Sequence, residues 1–141
     1  MKLKLISGIL FLLTVLIASC QNDGQIEFSR YYSGGSAIYQ ARCQNCHGAK
    51  GEGIANAYPA LAGNRAVTMN QPVNLVQIVL NGGYAPATAG NPRPFGMPPF
   101  VLVLNDADMA LVLTHIRQSW GNRASEITPL EVNRIRANSG R

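Results

Sequence analysis

Residues 42–53 read RCQNCHGAKGEG. Cys43 and Cys46 stand two residues apart, and His47 follows at once. On a helix these positions are i, i+3 and i+4, so all three side chains leave one face. Each chemistry that uses such residues makes a further demand on the chain. A structural zinc ion wants four protein ligands, usually two such cysteine pairs, and this chain has no second pair and one further histidine, His115. A thioredoxin-like redox pair belongs beside a βαβ pattern, which the sequence does not contain. A plain disulfide leaves His47 idle. Cys-x-x-Cys-His is the attachment signature of a c-type haem, with two thioether bonds to the macrocycle edge and the imidazole reaching its iron.

An iron held by His47 has a second axial position, and His115, Met69, Met97 and Met109 are the candidates. Met109 falls on the apolar face of a helix, which packing explains. His115 lies mid-helix between Thr114 and Ile116, where packing or surface exposure accounts for it. Met69 precedes a helix in a polar turn. Met97 sits in Pro94-Phe95-Gly96-Met97-Pro98-Pro99-Phe100. There the prolines stiffen the backbone, the glycine permits close approach, and the phenylalanines can exclude water. A thioether is a soft, weak ligand that benefits from a rigid, dry frame, so Met97 is the expected second ligand.

The rest of the chain supplies a helical scaffold. A short helix is expected over 36–46. Residues 58–64 are too punctuated for regular structure. A second helix fits 72–80, with Pro72 at its first turn and Asn81-Gly82-Gly83 closing it. Its Leu75, Val76, Val79 and Leu80 make one apolar stripe. Residues 82–100 form a loop with prolines at 86, 92, 94, 98 and 99, and so long a loop in a compact domain is usually functional. A third helix starts at Asn105, a good N-cap, with Asp106 and Asp108 suiting the dipole. Met109, Val112, Leu113, Ile116 and Trp120 give it a buried face. Thr128-Pro129-Leu130-Glu131 reads as a capping box opening a final helix to about residue 137. No strand or repeat is evident, so the class is all-α.

The N-terminus carries a different message. Lys2 and Lys4 precede an apolar run at 5–18 that ends in small residues, the pattern of a secretory signal. The run is short of the roughly 20 residues a spanning helix needs. Leu16-Ile17-Ala18-Ser19-Cys20 resembles the lipobox of bacterial lipoproteins, in which the cysteine is lipidated and becomes the new N-terminus. Lipidation would account for an odd cysteine in an exported chain, and several acyl chains would hold it on a membrane. Gln21, in place of an aspartate, leans toward an outer-membrane destination. The expected organisation is a lipoprotein signal at 1–19, a lipidated N-terminus and polar tether at 20–35, a domain at 36–122 and a C-terminal extension with a short helix at 123–141. Loss of Lys2 and Lys4 with the signal lowers the formal net charge from +5 to +3. Nothing in this balance resembles a nucleic-acid stripe.

The chain resembles a class I cytochrome c over roughly residues 34–120: haem motif first, methionine loop downstream, C-terminal helix closing the fold. The resemblance implies helices wrapped around one covalent haem c. It also implies that a proline twelve residues after the axial histidine offers its carbonyl to the imidazole, and Pro59 stands twelve after His47. The family's first and last helices cross through an aromatic on each. Tyr39 suits the first, while His115 stands where the last usually has tyrosine. Pro59-Ala60-Leu61-Ala62-Gly63-Asn64, Asn81-Gly82-Gly83, residues 86–90, Met97-Pro98-Pro99-Phe100 and residues 116–122 narrow the likeness. Together they are similar to the cytochrome c modules of bacterial membrane-bound quinoprotein and flavoprotein dehydrogenases. Many of those subunits carry three haem motifs, and this chain carries one.

The expected function is one-electron transfer by a His/Met-ligated haem on the outer side of a bacterial membrane. The partners are redox proteins, a dehydrogenase and the respiratory chain, with no small-molecule substrate and no catalysis of its own. Two alternatives stay open: a donor to a terminal oxidase or nitrite reductase, and a haem-based ligand sensor. A diheme peroxidase would need a second Cys-x-x-Cys-His. Asn64, Arg65 and Arg93 are candidates for the haem propionates, and Trp120 for a packing anchor.

Overall fold

The computed structural model describes residues 2–19, 23–83 and 96–139. Cys20, Gln21, Arg93 and the 86–90 segment lie outside the described residues. The described chain is helical, with two isolated bridges (Ile54 to Tyr58 and Gly83 to Met97) and no strand. It divides into two compact units, Met1–Arg30 and Tyr31–Arg141. The first contains α1 (Lys2–Ser19) and the start of α2 (Asp23–Arg42). Among the described residues no helix is long and apolar enough to cross a membrane.

The second unit carries the remaining helices. After α2 come α3 (Gln44–His47), α4 (Arg65–Thr68), α5 (Val73–Asn81), α6 (Asp106–Gln118) and α7 (Pro129–Ser139). Helix α6 is the axis of the core. Asn105 caps it by accepting from the Asp108 amide at 2.8 Å, a bond worth about 1 kcal/mol. Met109, Val112, Leu113 and Ile116 then fall on its buried face. Helix α7 opens with the Thr128 hydroxyl accepting from the Glu131 amide at 3.2 Å, and buries Val132 and Ile135 against α5 and α6. Arg136 pins this lid: its Nε meets Asp106 at 2.7 Å, and its two Nη atoms donate to the Val101 and Leu104 carbonyls at 2.9 Å each. The C-terminal extension expected at 123–141 is thus part of the same compact unit.

One expectation is corrected. The polar, glycine-containing stretch at 21–35 reads as a tether, but α2 is already helical from Asp23. No proline interrupts 23–42, and the glycines serve contact in place of flexibility. Gly34 lies against the Leu111 side chain, and a Cβ on Gly35 would run into the Leu111 carbonyl and the His115 Cβ. The glycine pair is where α2 crosses α6 closely, and the sequence at 21–35 gives no sign of what faces it. Helix α4 falls just after the punctuated 58–64 stretch, where the sequence suggests no element. It is one turn, capped by Asn64 accepting from the Ala66 amide at 2.9 Å.

Candidate functional site

The chain reaches the site through a kink. Helix α2 stops at Arg42, and Cys43 caps α3 with φ −118° and ψ −35°. The Cys43 carbonyl accepts from the Cys46 amide at 3.1 Å and the His47 amide at 2.9 Å. The helical spacing therefore survives the break, and Cys43, Cys46 and His47 line one cavity of about 310 Å³. The Tyr39 hydroxyl donates to the Gly48 carbonyl at 2.6 Å and anchors the turn that follows. Burial pushes its pKa up to about 12, so it remains a donor across the physiological range.

The backbone then folds back on itself. The Gly53 amide donates to the His47 carbonyl at 2.8 Å, and the Leu61 amide to the Gly51 carbonyl at 2.7 Å. This return brings Pro59 over the histidine, and the His47 Nδ1–H donates to the Pro59 carbonyl at 2.9 Å. Such a bond fixes the tautomer and leaves the imidazole lone pair on Nε2. The twelve-residue spacing is thereby explained by the geometry of the turn.

The end of α5 and the methionine segment also line the cavity. Gly82 ends α5 at φ 75°, in the left-handed region, and a Cβ there would strike the Met97 carbonyl. Gly83 and Met97 exchange both backbone bonds, at 2.7 and 3.2 Å. Phe100 and Val101 donate to the Val79 and Leu80 carbonyls at 3.0 Å each. Half-buried Met97 is thereby locked onto the end of α5, and it lines the same cavity as His47. A second lobe of about 150 Å³ shares Cys43, His47, Pro59, Met97 and Phe100 and reaches core residues such as Val67 and Leu113. Cofactor sites of about 300–1,000 Å³ lined by apolar groups with a few polar ones are the norm.

The rival axial residues lie elsewhere. Met109 is fully buried in the core, and Met69 is 45% exposed at the end of α4. His115 is enclosed by rings: Tyr32 at 4.9 Å, Tyr39 at 5.7 Å and Trp120 at 5.7 Å between centroids. Burial lowers its pKa, so it packs as a neutral plate. Of the propionate candidates, Asn64 lines the smaller lobe and Arg65 is exposed. Trp120 packs on Tyr39 at 4.9 Å, as an anchor should.

A bare metal ion fits poorly. Among the described residues no three His, Cys, Asp or Glu side chains converge on a common point. Burial, with Cys46 alongside, pushes the Cys43 thiol up to about 11. Two half-buried free cysteines, a fixed histidine and a thioether around one apolar cavity fit the edge, iron and faces of a haem.

Two buried polar residues brace this arrangement, and composition gave no hint of either. Asn122 Oδ1 accepts from the Gly63 amide at 2.9 Å, while its Nδ2 donates to the Leu61 carbonyl at 3.0 Å and the Ile116 carbonyl at 2.9 Å. It ties the end of α6 to the loop just beyond Pro59. Arg117 is fully buried beneath α4.

Comparison with known proteins agrees with this geometry. The family model described as cytochrome c matches residues 32–120. The chain is 33% identical over 121 residues to the cytochrome c subunit of a quinone alcohol dehydrogenase from Gluconobacter oxydans, covering 82% of this chain and 25% of that protein. It is 35% identical over 104 residues to the gluconate 2-dehydrogenase cytochrome c subunit of Pantoea cypripedii, covering 72% and 24%. It is 31% identical over 111 residues to cytochrome c-552 of Thermus thermophilus, covering 73% of this chain and 84% of that protein. The chain spans about a quarter of the length of the dehydrogenase subunits it matches.

Proposed function

The chain belongs to the cytochrome c family, whose members bind haem c covalently and transfer electrons, and from that premise we propose how its own residues serve the task. Cys43 and Cys46 carry the two thioethers. His47 and Met97 are the axial ligands, and the Pro59 carbonyl holds the imidazole. Haem c bound there supplies a single-electron redox centre. The observation that carries this reading is that all four ligating side chains line one apolar cavity, with His47 Nδ1 bonded to Pro59.

With both axial positions filled no site is open to oxygen or substrate, so the protein is an electron carrier and not a catalytic subunit. The Pro59 bond strengthens the imidazole, and the backbone pairing of Gly83 with Met97 holds a weak ligand in place. Phe100 and Ile78 help exclude water, which sets potential and stability together. Met/His ligation gives a higher potential than ligation by more strongly donating groups.

The electrons come from a membrane-bound dehydrogenase and go to the respiratory chain. The likeness to dehydrogenase cytochrome subunits supports this. Lys50 is the one lysine near the haem motif, so docking through Gln44, Asn45, Ala49 and the Met97 segment is largely uncharged. A steep fall of the reduction rate with ionic strength would contradict such docking. Lipidation of Cys20 would compensate by raising local concentration on the outer side of the membrane. Its check is fractionation: the native chain goes with membranes and the Cys20→Ser variant does not. The ligand assignment is tested by Met97→Ala, which should lose the near-infrared iron–sulfur band and bind carbon monoxide when reduced. An unchanged band would show that another residue is the ligand.

A further inference from the structure

Arg117 is placed where a hydrocarbon side chain would ordinarily sit. It lies in the last turn of α6 with no exposed surface. Its Nη1 donates to the Val67 carbonyl at 2.7 Å and the Met69 carbonyl at 2.9 Å. Its Nε donates to the Ser125 carbonyl at 2.9 Å, and its Nη2 reaches the Ser125 hydroxyl at 3.3 Å. Every one of these acceptors is neutral. Glu131 is the carboxylate whose field reaches it, without an ion pair between them. A guanidinium stays charged even when burial lowers its pKa. The cation is therefore held by dipoles alone, although apolar residues of like volume often stabilise such positions better.

The position of that charge suggests its use. Val67, which takes the shortest of the bonds, also lines the smaller lobe of the cavity, as does Ile116 beside Arg117 in the chain. The cation stands behind one layer of apolar wall, where water cannot screen it. An oxidised haem carries one more positive charge than a reduced one, so a fixed cation at that place disfavours oxidation. We propose that Arg117 is a positioning residue that braces α4 and raises the reduction potential of the haem in this cavity. Glu131 acts in the opposite sense. This inference rests on the haem site proposed above.

The test is redox titration of the holoprotein in three variants. Arg117→Met removes the charge and keeps the bulk, and should raise the oxidised-to-reduced ratio at a fixed ambient potential about tenfold, a midpoint about 59 mV lower. Arg117→Lys keeps the charge, and the ratio should stay within about threefold of the native value. Glu131→Gln removes the opposing charge and should shift the ratio the other way. A merely structural Arg117 would lower thermal stability in both arginine variants and leave the potential alone. The proposal is overturned if the Met variant titrates like the native protein, or if Lys shifts as far as Met. Should the Met variant yield no holoprotein, the sign of the Glu131→Gln shift decides: a higher midpoint, and so a lower oxidised-to-reduced ratio, supports the proposal, and no change or a lower midpoint overturns it. Native protein without haem absorption or the iron–sulfur band would instead strike at the site itself.

Discussion

The chain has two histidines, and they sit in regions of opposite character. His47 lines a cavity, half-buried, with one nitrogen committed to the Pro59 carbonyl and the lone pair left on the other. His115 is 6% exposed in the last turn of α6, ringed by Tyr32, Tyr39 and Trp120, with Ser119 Oγ 3.4 Å from its Nδ1. The first is prepared to donate a lone pair. The second packs where α2 crosses α6, its Cβ facing Gly35. A ring's neighbours, in particular what its second nitrogen meets, decide between ligand and filler. The same division separates Met97, clamped at the cavity, from Met109, buried in the core.

The largest effect should come from the cavity side. Cys43→Ser with Cys46→Ser leaves no sulfur to bond the macrocycle, so no covalently haem-bound chain should survive denaturing electrophoresis with haem staining. Met97→Ala comes next: the protein keeps its haem, its potential falls, and the reduced form binds carbon monoxide, which a spectrophotometric titration reads.

Changes on the scaffold side should cost stability in place of chemistry. Asn122→Ala breaks three hydrogen bonds, two of them part-buried and one buried. At about 1 kcal/mol each, a loss of about 2–3 kcal/mol is expected as a lower denaturant midpoint. His115 should show itself through pH. Its folded pKa is depressed by burial, with a weaker opposing bond to Tyr32. Below about 6.5, the ordinary histidine value, the unfolded chain takes up a proton that the folded one refuses. Stability should therefore be flat above that pH and fall beneath it, and His115→Phe should flatten the slope. The smallest effect is Asp106→Asn, which weakens the 2.7 Å pair to Arg136. Both side chains are 25% exposed, so about 0.5–1 kcal/mol is expected. Hydrogen bonding by Asn133, then by Arg136, lowers the Asp106 pKa. Its contribution is complete above about pH 3.9 and lost as pH falls through the depressed folded value.

Much of the cavity side was legible because its signals are local. The Cys43, Cys46, His47 spacing needs one helical turn and the proline-stiffened frame of Met97 is written in consecutive residues, while Pro59 was readable only through the family resemblance. The caps Asn105 and Thr128 were readable for the same reason. The scaffold side was harder, since its meaning lies in partners far along the chain. Gly34 and Gly35 look like linker until Leu111 and His115 are known to face them. Arg117 looks like an ordinary basic residue until Val67 and Met69, some fifty positions earlier, supply its acceptors. Asn122 reaches back equally far.

The central claim is that one haem is fixed by Cys43, Cys46 and His47 and closed by Met97. Visible and near-infrared spectra of the purified protein in both redox states, with the haem-to-chain ratio, test it most directly. The account predicts one covalent c-type haem per chain, an iron–sulfur band in the oxidised form, and no spectral response of the reduced form to carbon monoxide. A colourless protein with Cys43 and Cys46 joined as a disulfide, or a haem that binds carbon monoxide at once and completely, would contradict it.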